Sequence, residues 1–316
     1  MGYQAPFPAV LEQVEYAKLY FHLEIKNYFD LPPLGLLQLR RELFQALTPL
    51  ELHDRSAWMD LQRLLRPELS QDPILRGQIQ KPSPAMVVSP DAVCHGLIEP
   101  GMRVVLPVLF VGSGVTAINS FIRLLQALGL LGLYHGAGEF ELEGIEAEDA
   151  SGLRAMLWQR GDPETELAPP ISDLGWWLGR QQCGMETLSL KLISPLRLIS
   201  RRRPLFKASF AELFPFVLRR VTGMLASHAG IETIRTPAAL IRIAADVEVV
   251  DNRFYWQDWR ALQIAGGEQQ FGGLMGKLTL AGPALSELVW LLQLGSLFNV
   301  GKGAPYGAGQ YQLDSC

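Results

Sequence analysis

The chain opens on a pattern of period two. Over residues 17–26 (Ala-Lys-Leu-Tyr-Phe-His-Leu-Glu-Ile-Lys) apolar and polar side chains alternate, which predicts a strand with one face in a core. Glu42-Leu43-Phe44 follows in a helical stretch rich in Leu and Arg. Val108-Leu109-Phe110-Val111-Gly112 reads as a further strand, and the next helix carries Leu124-Leu125-Gln126 before the turn Tyr134-His135-Gly136-Ala137-Gly138. Near the end, Leu285, Leu288, Val289 and Leu292 keep helical spacing. A Gly-rich stretch follows, and then Gln310-Tyr311-Gln312-Leu313 alternates as a strand.

These elements occur twice in the same order. Gly136-Ala137-Gly138 recurs as Gly307-Ala308-Gly309, an offset of 171 residues. The strand at 17–26 has its counterpart near 188–193 (Leu-Ser-Leu-Lys-Leu-Ile). Glu42-Leu43-Phe44 returns as Glu212-Leu213-Phe214, and Val108–Gly112 corresponds to Leu278–Gly282, each 170 residues on. Self-similarity at a fixed offset is a fold-level signal, and here the period is a whole domain. Each unit reads strand, helix, irregular stretch, strand or hairpin, helix, strand. This predicts an α+β protein of two tandem ferredoxin-like (βαββαβ, RRM-like) domains. The first domain is expected at 1–150, with an insertion at about 53–100. A connector at 151–183 holds Pro163, Pro169, Pro170 and Trp176-Trp177, and the second domain spans 184–316, with 228–270 as the counterpart of the insertion.

Candidate chemistry gathers at 299–313, where Gly301, Gly303, Gly307 and Gly309 surround Lys302 and Tyr306. The order is helix, loop, strand. Phosphate loops of nucleotide-binding proteins run strand, loop, helix, because the phosphate sits on the helix N-terminus. Gly272-Gly273-Leu274-Met275-Gly276-Lys277 has the wrong glycine spacing for such a loop and no Ser or Thr after its lysine. A backbone held close to something remains, with one cation and one ring. Glycines let N–H groups approach a phosphate, and tyrosine can stack on a base.

Composition narrows the class. At 316 residues, 48% hydrophobic and 19% charged, the chain holds about two domains with ample core. No apolar run reaches the roughly 18–20 residues of a membrane span, so no membrane partner is expected. Met1-Gly2-Tyr3-Gln4 lacks the features of a secretory signal. Cys94, Cys183 and Cys316 are scattered and odd in number, with no metal pattern and no disulfide framework, which fits a reducing cytoplasm. No metal or other cofactor is expected. Net charge is −4, so any polyanion site must be local. Such a site exists in the sequence: between Glu186 and Glu212 stand Lys191, Arg197, Arg201, Arg202, Arg203 and Lys207 with no acid among them, and Arg219-Arg220 follow. A confined basic patch suits a polyanion through salt-sensitive binding.

The ordered set Ser194-Pro195-Leu196-Arg197-Leu198, the basic stretch, Arg219-Arg220, Tyr255-Trp256-Gln257-Asp258-Trp259, Gly272–Lys277 and Val300-Gly301-Lys302-Gly303-Ala304-Pro305-Tyr306-Gly307-Ala308-Gly309 resembles the CRISPR-associated precursor-RNA processing endoribonucleases of the repeat-associated RNA-binding (RAMP) superfamily. The resemblance covers nearly all of the second unit and rests in the first on 99–112 and 121–133. It implies a protein that grips the stem-loop of a CRISPR repeat transcript and cuts it without metal at the stem base, the 2′-hydroxyl attacking the adjacent phosphate to leave a 2′,3′-cyclic phosphate. Other subunits of a CRISPR effector complex are implied partners. That chemistry needs a base, an acid and donors around the phosphorane. Of the five histidines, His53 after the first helix is the expected catalytic group, and His22 on the first strand is second. Expected RNA contacts are Arg197, Arg201, Arg202, Arg203, Lys207 and Lys302, with Gly301, Gly303, Gly307 and Gly309 as backbone donors and Tyr306 as a stacking ring. A non-catalytic subunit that holds a guide-RNA handle is the alternative. A metabolic enzyme on the same fold is disfavoured, because no convergent acid/base pair is evident.

Overall fold

In the first unit, every second side chain of β1 (Glu15–Ile25) is apolar, and Ala17, Leu19, Phe21, Leu23 and Ile25 all point into one core. The computed structural model describes residues 7–315 apart from 70, 72–75, 77–78, 80, 91–93, 164–165, 182–186, 235, 260–262, 265–266 and 269–270. Cys183 and Cys316 lie outside the described residues, as do parts of the expected connector and of both insertions. After β1 come α1 (Leu39–His53), α2 (Arg55–Leu65), β2 (Met86–Val88), β3 (Arg103–Val111), α3 (Ile118–Leu131), β4 (Phe140–Glu148) and β5 (Arg154–Gln159). The sheet runs β2-β3-β1-β4-β5 with antiparallel neighbours, and Phe21 stands opposite Leu106 and Ile145. The helices cover one face, where Phe21 and Phe110 meet Phe121 of α3 at ring centroid distances of 5.6 and 5.3 Å.

A short helix, α4 (Leu174–Arg180), leads to the second unit, which repeats the topology. It comprises β6 (Thr187–Leu192), α5 (Phe210–Ala229), α6 (Pro237–Ala245), β7 (Glu248–Asn252), β8 (Tyr255–Trp259), β9 (Phe271–Met275), β10 (Lys277–Ala281), α7 (Val289–Phe298) and β11 (Tyr311–Ser315). Its main sheet runs β7-β10-β6-β11, again antiparallel. The chain is therefore an α+β protein of two tandem ferredoxin-like units. Ser209 and Glu212 close a capping box at the start of α5, which fixes where this helix begins after the basic stretch.

Two expectations change. The second strand of each ferredoxin pattern falls inside a segment read as an insertion: β2 within 53–100 and β7 within 228–270. Only the surroundings of those strands are additional. And the stretch Gly112–Gly136, helical but broken at Gly132, is long and apolar enough to cross a membrane by length and composition. Here it is the core helix of the first unit, with Phe121, Leu124, Leu125 and Leu128 buried.

The units share apolar surface. Leu11, Val14, Tyr16, Val87, Leu109 and Val111 of the first unit are buried in the core of the second. The Gly-rich loop then docks on β2, the edge strand of the first sheet: Val88 N–H donates to Pro305 O at 2.9 Å, and Val88 bridges Tyr306. On its other side the buried Ser194 hydroxyl donates to Gly307 O at 2.6 Å and accepts from Gln310 N–H at 2.9 Å. Replacing Ser194 by Ala strands both backbone groups and should cost about 1–3 kcal/mol in denaturant unfolding. An unchanged midpoint and slope would show that this hydroxyl does not hold the loop.

Candidate functional site

The backbone of the Gly-rich loop is largely spent on the protein itself. Val300 N–H donates to Gly309 O at 3.1 Å, Lys302 N–H to Arg197 O at 2.9 Å, Tyr306 N–H to Gly303 O at 2.9 Å and Gly309 N–H to Pro195 O at 2.9 Å. Gly309 sits at φ +67°, and a Cβ there would lie 1.8 Å from Val300 O. The glycines thus serve chain-to-chain approach within the fold. Gly307 and Gly309 are accordingly corrected as phosphate donors, since their N–H groups go to Ala304 O and Pro195 O. Gly301 (φ +90°) presses on Arg197 O, and Gly303 lines a cleft. Tyr306 is also corrected. Only 5% exposed, its ring is no open stacking platform, and burial pushes its phenol up to about 12 against the opposing charge of Arg40.

The loop forms one wall of a cleft of about 610 Å³ whose opposite wall is α1. Arg40, Arg41, Arg66, Arg197 and Lys302 line it, and among the described residues no Asp or Glu does. A second pocket of about 530 Å³ lies behind, lined by Lys81, Arg219 and Arg220 and sharing Arg197 and Lys302 with the first. Among the described residues it too has no carboxylate in its lining. Arg197 and Lys302 thus form a cationic ridge between two basic hollows. Arg197 Nε is buried without a hydrogen-bond partner. On a protein of net charge −4, this is a strong local field for an anion.

The structure brings Arg197, Lys302 and Gly303 together at the cleft, with Gly301 at the second pocket. It does not bring the others there. Arg201, Arg202 and Arg203 are exposed on a small hairpin (Ile199–Ser200 with Arg203–Pro204), and Lys207 is exposed just beyond it. Arg201 and Arg202 hold positive φ at its tip. His53 is exposed at the last position of α1, beyond Thr48, the last residue of that helix to line the cleft. His22 lies on the outer face of the first sheet, with Nε2 3.4 Å from Glu146. That face is a balanced lattice in which Lys18 pairs Glu148, Lys26 pairs Glu141 and Arg160 pairs Glu24. No histidine lines either hollow.

Sequence reading passed over Arg66, Phe44 and Lys81. Arg40 and Phe44, one helical turn apart, were the available signal for that wall. Two further groups are structural. Arg220 is half-buried, donates from Nε and Nη2 to Phe298 O at 3.1 and 2.9 Å, and bonds the Ser83 hydroxyl; desolvation lowers it to about 9. Glu42 accepts the His135 N–H at 3.2 Å beneath the turn of the first unit, and burial raises it to about 7. Among the described residues, no group of three or more His, Cys, Asp and Glu is placed to hold a metal.

Residues 190–311, which carry β6, Arg197, α5 and the Gly-rich loop, match the family model of the CRISPR-associated endoribonuclease Cas6. The fold of the whole chain is similar to that of a Cas6 product complex, with a TM-score of 0.56 at 15% identity over 95% of this chain and 100% of that one. The family likeness is thus confined to 190–311, and the solved structures share the fold of the whole chain. Thermus thermophilus Cas6 is similar at a TM-score of 0.52 and 15% identity, covering 95% of this chain and 99% of that one. A partial Cas6-RT-Cas1–Cas2 complex matches at 0.56 and 13%, over 96% of this chain and 46% of that chain. No curated protein sequence matches. The family match takes in only one wall of the cleft; the α1 wall lies outside it.

One buried group behind the ridge yields a pH test. His228 Nε2 lies 2.8 Å from Ser83 O, and burial, aided by Arg220, holds it down at about 4. The unfolded chain therefore takes up this proton first, near pH 6.5. The contribution is complete above about pH 6.5 and is lost as pH falls toward 4. Glu42, raised to about 7, acts in the opposite sense, so the comparison must be with His228→Gln. The unfolding free energy of the wild type relative to that variant should shrink by up to about 3 kcal/mol between pH 7 and pH 4. A difference independent of pH would contradict this.

Proposed function

We propose that this protein binds the stem-loop of CRISPR repeat transcripts and cleaves it at the stem base without metal, releasing mature guide RNA. The observation that carries the reading is the ridge of Arg197 and Lys302 between two hollows that, among the described residues, are lined by cations and no carboxylate. In the reaction the 2′-oxygen attacks the adjacent phosphorus and loses its proton. The 5′-oxygen leaves and gains one, giving a 2′,3′-cyclic phosphate and a 5′-hydroxyl. Charge on the phosphorane is met by Arg197 and Lys302, whose positions are fixed by the Lys302 N–H bond to Arg197 O. His53 is the proposed proton acceptor; RNA reaches it by following α1 past Thr48. Arg201, Arg202, Arg203 and Lys207 are proposed as outer contacts to the RNA backbone, and other CRISPR subunits as further partners.

Labelled repeat hairpin incubated with the protein in EDTA should be cut, while the same RNA with one 2′-deoxy sugar before the cut should bind intact. Binding without cleavage of either would make the chain a guide-RNA handle-binding subunit. Lys302→Ala should weaken binding and lower the slope of log affinity against log salt by about one. An unaltered slope would remove the phosphate contact. His53→Ala should slow single-turnover cleavage roughly 10²–10⁴-fold. An unchanged rate would take histidine out of the reaction and leave it to the cations.

A further inference from the structure

The α1 wall of the cleft carries a feature that neither the family match nor the basic stretch contains. Arg40 comes from the first turn of α1, and Arg66 follows the end of α2. Both guanidiniums stack on one ring: their central carbons lie 5.6 and 4.3 Å from the centroid of Phe44. Arg40 shares the cleft with the buried Tyr306, and the charges of both Arg40 and Arg66 bear on that phenol. Among the described residues, neither arginine makes an ion pair, and no carboxylate lines the cleft. Two like charges are thus gathered on one ring with no protein group to neutralise them. A planar guanidinium is a rigid fork that matches phosphate oxygens two at a time, and stacking leaves its N–H edge free to do so. Preorganised forks also lose little freedom on binding.

We propose that Arg40 and Arg66, stacked on Phe44, form a ready-made seat for one phosphate of the bound RNA, with Tyr306 as the residue that positions Arg40. The proposal rests on the RNA reading above and adds to it the wall opposite Lys302. It also gives the tyrosine of the Gly-rich loop a role that its burial allows. Tyr306 reaches across the junction of the two units and fixes a cation on the far side.

The test is a phosphate scan. Repeat RNAs, each with a single neutral methylphosphonate, are titrated against the wild type and the Arg40→Ala, Arg66→Ala double variant. Both positions are exposed, and thermal unfolding checks that the variant stays folded. One methylphosphonate should cost the wild type roughly tenfold or more in affinity and cost the double variant nothing, while the variant still responds at other phosphates. A variant that responds to every position as the wild type does would overturn the seat. Tyr306→Phe, which keeps the ring, should blunt the response at the same phosphate and at no other; an undiminished response there would end the positioning role. Failure of the wild type to bind any repeat RNA would count against the RNA reading itself, a result distinct from a scan in which both proteins respond alike.

Discussion

The site depends on a four-residue strip of backbone, Ser194–Arg197, to which the Gly-rich loop is fastened. Ser194 supplies a hydroxyl that bonds in both directions, Pro195 O accepts from Gly309 and Arg197 O accepts from Lys302. Leu196 exchanges two hydrogen bonds with Leu274, at 3.0 and 2.9 Å, so β9 is tied into the same knot. Gly273 is part of this: a Cβ there would lie 2.8 Å from Pro195. Three stretches far apart in sequence thus close on one another, and only glycine lets the backbones come that near.

The knot is also what spaces the two walls. Its far side adds to the edge strand β2 through Val88 and Pro305, which occupies an edge that would otherwise be open. Buried Asn299 reaches Ala304 O and Val88 O, and Arg220 ties α5 to Ser83 of the first unit. With apolar side chains of the first unit sunk in the core of the second, α1 and the loop are held as facing walls. The cleft is a consequence of tandem packing, and neither unit contains it alone. Charge is distributed to match. The outer face of the first sheet neutralises its own cations with Glu24, Glu141, Glu146 and Glu148, whereas Arg40, Arg41, Arg66, Arg197 and Lys302 converge with no acid among the described lining residues. An anion is therefore drawn to the junction, despite a net charge of −4.

The doubling of the fold was readable in the chain because it rests on periodicity. Glu42 and Glu212 fall in α1 and α5, Val108 and Leu278 in β3 and β10, and the two Gly-Ala-Gly turns each precede the last strand of a ferredoxin pattern. The second strand of each unit was hidden, since β2 has three residues and β7 has five within irregular, partly Pro-rich surroundings. At the site, residue type was legible and direction was not. A Gly-Lys-Gly run looks alike whether its N–H groups face a ligand or a neighbouring carbonyl, and here Gly307 and Gly309 face carbonyls. Tyr306 reads as a stacker until its burial is known. Arg66 was invisible because its relation to Arg40 and Phe44 exists only after α2 folds back. His53 drew notice by following a basic helix, and it stands at the end of that helix, beyond Thr48, where the lining of the cleft stops.

The central claim is that RNA lies in the junction between the units. Hydrogen–deuterium exchange of the full chain, with and without a repeat hairpin, tests it most directly. Protection is predicted at 37–48, at 195–203 and at 300–309, the two walls and the adjoining hairpin, with little change on β1 and β4. Protection concentrated on the outer face of the first sheet, with both walls unchanged, would contradict it.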